Sequence, residues 1–442
     1  MKGENKMKRK LALLMALALT VSLAACGNSG KEGKAGKETT DSKAGTEAEG
    51  KAEDKPEKLV MVTTTDHEDL YSYVADEFYE KYGIDVDIIS LAYADVHDKE
   101  VTMALGGSQL DILTVDTVWP GEFAKSGIAR PLNEYFTEEE IAQLYPAFVD
   151  EMSVGDDIYA IPTMTEGKWL FYNKEMLEEA GYSAPPSTYD EMLEMSRNMM
   201  DKGICKHGTA WAASQAEGFV CDFNAALYAY GGEWINENGD FVFNSKAGVD
   251  ALNMFINSMK DNTADPASVS YSDRDNLDPF MAGDTAFVTC WSYAYDFTND
   301  PANSSVAGKV EVAIAPGQGE VEYSATTGGG GLGITSSCKY PEWAVEFIKI
   351  AISYEVQKDV LDKFGNMPIL KRVLEDPEIL KDNPEFEIMA KQFDYAHGRP
   401  TIADYSSWSK MLQLNLSKAL AGEVTAQEAL DEAVRISNQE YK

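Results

Sequence analysis

Cysteine and histidine are scarce in this 442-residue chain, which contains five of the first and four of the second. Four widely spaced cysteines without a CxxC pair follow the amino-terminal region: Cys205, Cys221, Cys290 and Cys338. One disulfide and four buried free thiols are both compatible with this spacing. The histidines form no HxH or HExxH motif, so the sequence predicts no metal site.

Motifs for nucleotide cofactors and for a nucleophile elbow are also missing. The chain contains no GxxxxGK[ST] and no GxSxG sequence, which argues against ATP hydrolysis by a P-loop. Residues 328–333 (GGGGLG) formally satisfy GxGxxG, but residues 332–335 have a strand pattern where a dinucleotide site needs a helix start. We therefore predict no cofactor, and these glycines, Gly329 among them, indicate a close backbone approach to a ligand or a strand bulge.

Positive charge is sparse. Thirty-eight Lys and Arg residues against 74 Asp and Glu residues give a net charge of -36. A protein that binds nucleic acid neutralises phosphates, so this charge has the wrong sign for such a partner. The same field opposes adsorption to an anionic membrane, so any membrane attachment must be covalent or spanning.

Long apolar runs are rare, and the one at the amino terminus is short. Residues 11–25 are uncharged and mostly apolar and follow five basic residues, as in a signal peptide rather than a bilayer span. The following Cys26 lies in the sequence LAACG, which resembles a bacterial lipobox, where the cysteine is diacylated and becomes the first mature residue. Residues 27–58 lack aromatic and branched aliphatic side chains, which predicts a flexible tether. The alternative is an unlipidated secreted protein.

The remaining sequence alternates strand and helix patterns. Residues 59–65 predict a strand, residues 70–78 have helical spacing, and residues 84–88 alternate with period two. Similar units continue along the chain, so we predict an α/β fold. A helix begins near Pro341, and its spacing places Trp343 in the core.

Acidic and aromatic residues recur in loops that follow predicted strands, where open α/β sheets bind ligands. Carboxylates accept hydrogen bonds from hydroxyl groups, and aromatic faces pack on the apolar face of a pyranose, so this combination suits a sugar. Any single residue could instead cap a helix or fill the core. The candidates are Asp66, His67, Asp116, Trp119, Glu166, Trp211, Trp291, Tyr293, Arg399 and Tyr405.

Several stretches together resemble bacterial extracellular solute-binding protein family 1, the substrate-binding subunits of ABC importers. They are residues 111–113 (DIL), 121–127 (GEFAKSG), 159–162 (YAIP), 171–174 (FYNK), 185–191 (PPSTYDE), 280–284 (FMAGD) and 341–348 (PEWAVEFI). The resemblance implies a two-lobe, Venus-flytrap fold with three hinge crossings and a ligand cleft between the lobes. It places the hinges near residues 163–165, 315–317 and 365–368.

The resemblance also implies domain limits. A signal peptide occupies residues 1–25, and the lipidated cysteine with its tether occupies residues 26–58. The amino-terminal lobe comprises residues 59–163 and 317–365, and the carboxy-terminal lobe comprises residues 164–316 and 366–442.

Some site residues follow from the same resemblance. Asp66 and His67 match an acidic-basic pair after the first strand in the family's maltose-binding members. Glu166 matches a ligand glutamate beside the hinge, and Trp291 matches a stacking tryptophan. A Trp-x-x-Asp-Arg group of those members is replaced here by Val115, Val118 and Trp119, which puts maltose as the ligand in doubt.

The expected function is carbohydrate capture by a monomeric, lipid-anchored protein on the outer face of the cell membrane, with delivery to the transmembrane subunits of an ABC permease and no catalysis. One alternative is an extracellular glycosidase, which needs two carboxylates roughly 5 to 9.5 Å apart, and Asp66, Asp116 and Glu166 are available. Another keeps the binding fold but changes the ligand to a polyamine, a peptide or an iron complex, or makes the protein a sensor's accessory. An acidic, aromatic cleft also suits a cation.

Overall fold

The computed structural model describes residues 55–364 and 366–442. Helices α1 to α18 are Glu68–Tyr82, Tyr93–Leu105, Pro120–Ser126, Glu138–Ala142, Pro146–Glu151, Lys174–Ala180, Tyr189–Asp201, Glu217–Ala229, Lys246–Lys260, Leu277–Ala282, Ala294–Asn299, Pro341–Ala351, Tyr354–Phe364, Lys371–Leu374, Pro377–Asp382, Glu385–Lys391, Tyr405–Leu420 and Ala426–Glu440. Short 3-10 helices span Pro266–Ser270 and Gln392–Tyr395. The proposed signal peptide, Cys26 and most of the tether lie outside the described residues.

Strands β1 to β17 are Lys58–Thr64, Asp85–Leu91, Ile112–Asp116, Ser153–Val154, Asp157–Ile158, Ala160–Pro162, Met164–Gly167, Trp169–Asn173, His207–Ala210, Thr285–Cys290, Val310–Ala313, Pro316–Gln318, Val321–Tyr323, Ala325–Gly328, Gly330–Ile334, Met367–Pro368 and Ala396–His397. None of the helices within the described ranges combines the length and the apolar character that crossing a membrane requires.

The predicted βαβ opening is present. Helix α1 buries Leu70, Val74 and Phe78 on one side, because these residues recur at helical spacing. The helix ends at Gly83, whose φ of 60° lies in the left-handed region that favours glycine. Strands β1 and β2 on either side of the helix pair in parallel, which confirms the α/β class.

Two separate sheets each anchor one half of the molecule. The first has the order β2-β1-β3-β15-β6, and the second has the order β11-β8-β10-β9. We call the halves built on them the first lobe and the second lobe. Helices α17 and α18 pack together and against α8 and α9 in the second lobe, so the carboxy terminus of the chain belongs to that lobe.

A third sheet, with the order β16-β7-β14-β17, lies where the chain passes between the lobes. Strand β7 follows β6 of the first sheet and precedes β8 of the second, and the hinge predicted at residues 163–165 lies at the start of this strand. Residues 316–318, beside the second predicted hinge, form β12, which pairs with β13, and the chain then pairs with β7 through β14. Both hinges stay predictions that rest on the family resemblance.

The third predicted crossing, at residues 365–368, includes Gly365, which lies outside the described residues. Its strand β16 pairs with β7 through Met367 and Pro368. The lobe limits after residues 163, 316 and 365 stay predictions.

The cores consist of buried apolar side chains from both faces of the sheets. The fully buried side chains of largest volume include Trp169, Trp211, Trp234 and Trp408. Trp343 is only half-buried: its ring meets Tyr82 edge-on, with 5.3 Å between ring centroids. From the first turn of α12 the indole packs on Tyr82 at the edge of the core, so the prediction that Trp343 is a core residue is wrong. The four cysteines of the folded part are buried free thiols, which decides between the two alternatives left open above.

Candidate functional site

Glu166 lies on the crossing strand β7, where the two lobes meet. It is 6% exposed, and Ser292 of the second lobe donates its hydroxyl to Oε1 over 2.6 Å and its backbone N–H to Oε2 over 3.2 Å. The amide of Asn366 donates to Oε1 over 3.3 Å. Burial raises the pKa of Glu166 to about 7, although these hydrogen bonds oppose the shift. Near neutral pH this carboxyl is therefore partly protonated and can both donate and accept.

Gly329 follows β14 directly and faces this glutamate. Its φ is +96°, and a Cβ there would lie 3.3 Å from the backbone nitrogen of Glu166. Only glycine accommodates both the backbone angle and the close approach. The close approach that the structure shows is to Glu166, and the predicted contact of Gly329 with a ligand stays a prediction.

Trp291 is half-buried next to Ser292 and packs against the crossing strand. A Cβ on Gly328 of β14 would overlap the Cζ3 and Cη2 atoms of the indole. The ammonium of Lys168 lies 5.3 Å from the ring centroid, within the range of a cation–π contact. Glycine on one strand and lysine beside the other thus fix the orientation of the ring.

Lys168, which the sequence analysis missed, is a buried cation with two acidic partners. Its Nζ lies 2.6 Å from Asp222 and 2.5 Å from Asp273 and donates to the carbonyl of Gly218 over 3.0 Å. Its side chain is 2% exposed. Burial opposes the charge, but the two carboxylates outweigh it and raise the pKa of Lys168. The ammonium stays charged and offsets one of the two negative charges beside it.

Arg399 forms a second buried cation centre. Its NH1 donates to Glu217 over 2.7 Å, and its NH2 donates to Asp116 over 2.8 Å and to the hydroxyl of Thr117 over 3.0 Å. Asp116 ends β3 of the first lobe, whereas Glu217 begins α8 of the second. Asp116 and Arg399, both predicted site residues, are 283 positions apart in the sequence, and only the fold brings them together.

Tyr405, another predicted residue, belongs to the same cluster. It is 2% exposed, and its hydroxyl donates to Glu217 over 2.5 Å. Burial comes first among the causes that raise the pKa of Tyr405 well above its usual range, followed by the charge of Glu217. Tyr405 therefore stabilises the ion cluster through Glu217, and almost none of its own surface is accessible to a ligand.

Asp66 and His67 follow β1, as predicted. Asp66 is exposed, and His67 begins α1 half-buried, with a buried Nδ1 that has no hydrogen-bond partner. Burial lowers the pKa of His67, while the charges of Asp66 and Asp116 oppose that shift. Burial raises the pKa of Tyr293 well above its usual range, and Asp66 is among the surrounding charges that add to the effect. Residues of both lobes therefore share one electrostatic environment.

Glu151, at the end of α5, was missed by the sequence analysis. The hydroxyl of Thr327 on β14 donates to its Oε1 over 2.6 Å. Burial raises the pKa of Glu151 to about 7, and the charge of Arg399 lowers it in part. No sequence signal marks this residue, because it ends a short helix of the first lobe and approaches the crossing strand only in the fold.

Two predicted tryptophans lie inside the protein. Trp211 is 1% exposed, and its indole N–H donates to the hydroxyl of Ser258 over 3.1 Å, so it is a core residue and we leave it out of the site. Trp119 is 4% exposed and lies beneath Tyr93, with 5.8 Å between their stacked rings. Tyr93 is partly exposed, and its hydroxyl donates to Asp116 over 3.0 Å. The aromatic surface at this position thus comes from Tyr93, another residue that the sequence analysis missed.

The arrangement is chemically suited to a solute that has many hydroxyl groups. Carboxyl groups and a half-buried indole surround the junction of the lobes, and Lys168 and Arg399 each form ion pairs with two of the carboxylates. Within residues 55–364 and 366–442, no group of three or more His, Cys, Asp or Glu side chains has the geometry to hold a metal ion.

The sequence of this chain is also similar to those of known proteins. The sequence pattern of the family described as bacterial extracellular solute-binding protein matches residues 63–358. A probable ABC transporter-binding protein of Deinococcus radiodurans is 27% identical over 310 residues, which cover 69% of this chain and 73% of that protein.

Solved structures agree with this match. A maltose-bound protein of T. maritima is 30% identical, with a TM-score of 0.80, and the match covers 86% of this chain and 98% of that one. An ABC transporter solute-binding protein of Thermotoga lettingae with bound alpha-D-tagatose is 26% identical, with a TM-score of 0.78, and the match covers 86% and 99% of the two chains. These structures share the two-lobe fold.

Proposed function

Because this chain belongs to the family of bacterial extracellular solute-binding proteins, we propose that it captures a carbohydrate outside the cytoplasm and delivers it to the transmembrane subunits of an ABC importer. The observation that carries the carbohydrate assignment is the pairing of Trp291 with Glu166 through Ser292 at the junction of the lobes. An indole supplies a flat apolar surface for a sugar ring, and a neighbouring carboxyl group hydrogen-bonds its hydroxyls.

The ion pairing of the acidic side chains favours a neutral solute over a polyamine. Lys168 is paired with Asp222 and Asp273, and Arg399 is paired with Asp116 and Glu217. The pKa values of Glu166 and Glu151 are about 7, so each carries on average only part of a charge near neutral pH. A polycation would need several carboxylates without a cationic partner, whereas each of these four already pairs with Lys168 or Arg399.

In this proposal Trp291, Tyr293 and Glu166 contact the solute from the second lobe and the hinge. Asp66 and His67 contact it from the first lobe. Ligand that touches both lobes stabilises the closed arrangement through its higher affinity for that state. No bond of the sugar is broken, and the protein acts as a monomer with the permease as its partner.

We further propose that Cys26 carries the lipid that holds the protein at the outer face of the membrane. The run of basic residues, the short apolar segment and the LAACG sequence support this anchor. The tether would leave the folded lobes free to reach the permease.

The test of the carbohydrate assignment is isothermal titration with mono- and oligosaccharides and polyamines, on the wild type and on Trp291→Ala. We expect saturable binding of at least one sugar and none of the polyamines, and a loss of affinity of roughly 10-fold or more in Trp291→Ala. Trp343→Ala is the matched control, because it removes a half-buried tryptophan from α12 and should keep the wild-type affinity. Polyamine binding without sugar binding, or equal affinity in Trp291→Ala, would refute the assignment.

A further inference from the structure

The guanidinium of Arg399 joins the two lobes directly. Its side chain is 2% exposed, and its two terminal nitrogens point to opposite sides: NH1 to Glu217 in the second lobe and NH2 to Asp116 in the first. Arg399 follows β17 of the crossing sheet by two residues. The ion bridge therefore lies at the β17 edge of the crossing, at one flank of the junction.

Protein side chains fill the space around this bridge. Ser409 and Gln413 of α17, like Tyr405, donate hydrogen bonds to Glu217, and the hydroxyl of Tyr93 donates to the other carboxylate. The side chains of Asp116 and Glu217 are only 13% and 15% exposed. A ligand at this flank would have to displace groups that already satisfy one another.

Further contacts join the lobes on the same flank. Trp119 of the first lobe and Ile402, which precedes α17, belong to one continuous buried apolar cluster. Asp98 on α2 and Lys410 on α17 form an exposed ion pair at 3.9 Å. The flank is thus closed by apolar packing and by two ion pairs, of which only the Arg399 bridge is buried.

We propose that the bridge between Asp116, Arg399 and Glu217 closes this flank of the cleft and thereby restricts the protein to short solutes. A sugar would lie between Trp291 and Asp66, and its chain could not extend past Arg399. The identity of the solute as a sugar rests on the proposed function, whereas the closed flank does not. In this role Arg399 and Asp116 determine specificity rather than contact the ligand.

The decisive variant is Asp116→Ala, because it removes the first-lobe end of the bridge and leaves Arg399 paired with Glu217 inside the second lobe. Asp98→Ala is the matched control, since it removes an exposed inter-lobe ion pair on the same flank, which contributes little. Asp116→Asn serves as a milder second variant, and circular dichroism checks that all three fold.

The first measurement is small-angle X-ray scattering without ligand. We expect the radius of gyration of Asp116→Ala to be larger than that of the wild type, and that of Asp98→Ala to equal the wild-type value. Asp116→Asn should have an intermediate radius. Equal radii in all four proteins would overturn the proposal. This result does not depend on which solute binds.

The second measurement is titration with glucose-, mannose- and xylose-based chains of one to five residues. The wild type should lose affinity by about tenfold or more once the chain exceeds two or three residues, and Asp116→Ala should recover most of that loss. A wild type that binds the longest chains best, or an unchanged length preference in Asp116→Ala, would overturn the size restriction. If no sugar binds at all, the proposed function fails and the scattering result alone decides the closed flank.

Discussion

At the scale of single residues, burial sets the protonation of the site. Glu166 is enclosed between β7, Ser292 and Asn366, and its pKa rises from an ordinary 4.5 to about 7 mainly because burial penalises the charged form. The hydrogen bonds from Ser292 are too few to reverse that penalty. The sequence marks Glu166 as a candidate ligand residue, but only the fold shows that its carboxyl group titrates near neutral pH.

This shift predicts a pH-dependent stability. Because the folded state holds the Glu166 proton more tightly than the unfolded state, its contribution to the free energy of unfolding is complete below pH 4.5. It is lost as the pH rises through about 7. The loss between these limits is on the order of 3 kcal/mol. Glu166→Gln cannot ionise and should lose less stability than the wild type between pH 5 and pH 8.

Urea unfolding at several pH values measures this difference. Glu423→Gln, which changes an exposed glutamate of the second lobe, is the control and should follow the wild type. Identical pH profiles for the wild type and Glu166→Gln would show that folding does not raise the pKa of this carboxyl group.

At the scale of elements, strand β14 holds the stacking ring in place. It pairs with β7 through Thr327 and Gly328, and the missing side chain at Gly328 leaves room for the indole of Trp291. The strand therefore contributes to the site through an absent Cβ rather than through a functional group. Its neighbour Thr327 contributes a hydroxyl to Glu151 in the usual way.

Gly328→Ala should displace the indole and weaken sugar binding by about tenfold. The added methyl group also overpacks this region, which should lower the free energy of unfolding by roughly 1 to 3 kcal/mol. Gly121→Ala is the matched control, because its Cβ would meet only atoms at 3.6 Å or more. Titration and thermal unfolding of both variants separate the two effects. Unaltered affinity in Gly328→Ala would mean that the ring orientation is not set by β14.

At the scale of the whole molecule, two sheets joined by a third create a site that no single sheet contains. The cation centres at Lys168 and Arg399 each collect carboxylates from separate parts of the chain. Four carboxylates share two cations, so each centre keeps one excess negative charge, but none of the four lacks a cationic partner. The acidity of the composition is therefore reduced, not abolished, at the junction of the lobes.

The amino-terminal sequence predicts that a lipid on Cys26 anchors the protein at the membrane. Cys26→Ala should release the protein from membranes into the soluble fraction, because two acyl chains hold a protein stably whereas a polybasic segment and one chain are each weak. Fractionation after a salt wash measures this, with Cys205→Ala as a control for the loss of a cysteine elsewhere. Continued quantitative membrane attachment of Cys26→Ala would refute the lipid anchor.

The sequence by itself determined the α/β class and the family. Its strand pattern places Asp66, Asp116 and Glu166 after predicted strands, and the family resemblance marks Trp291 as a stacking residue; the ligand roles of these residues stay predictions. These signals are readable because secondary structure depends on residues that are close in the sequence.

Only the tertiary structure decided which of these residues meet and which serve the core. It buried Trp211, revealed Lys168 and Glu151, and paired Arg399 with both lobes. Burial, ion pairing and close approach are relations between distant segments of the chain, and a one-dimensional pattern does not contain their distances. For that reason the types of side chain at the site follow from the sequence. The protonation of these side chains, their ion pairs and their contacts follow from the fold.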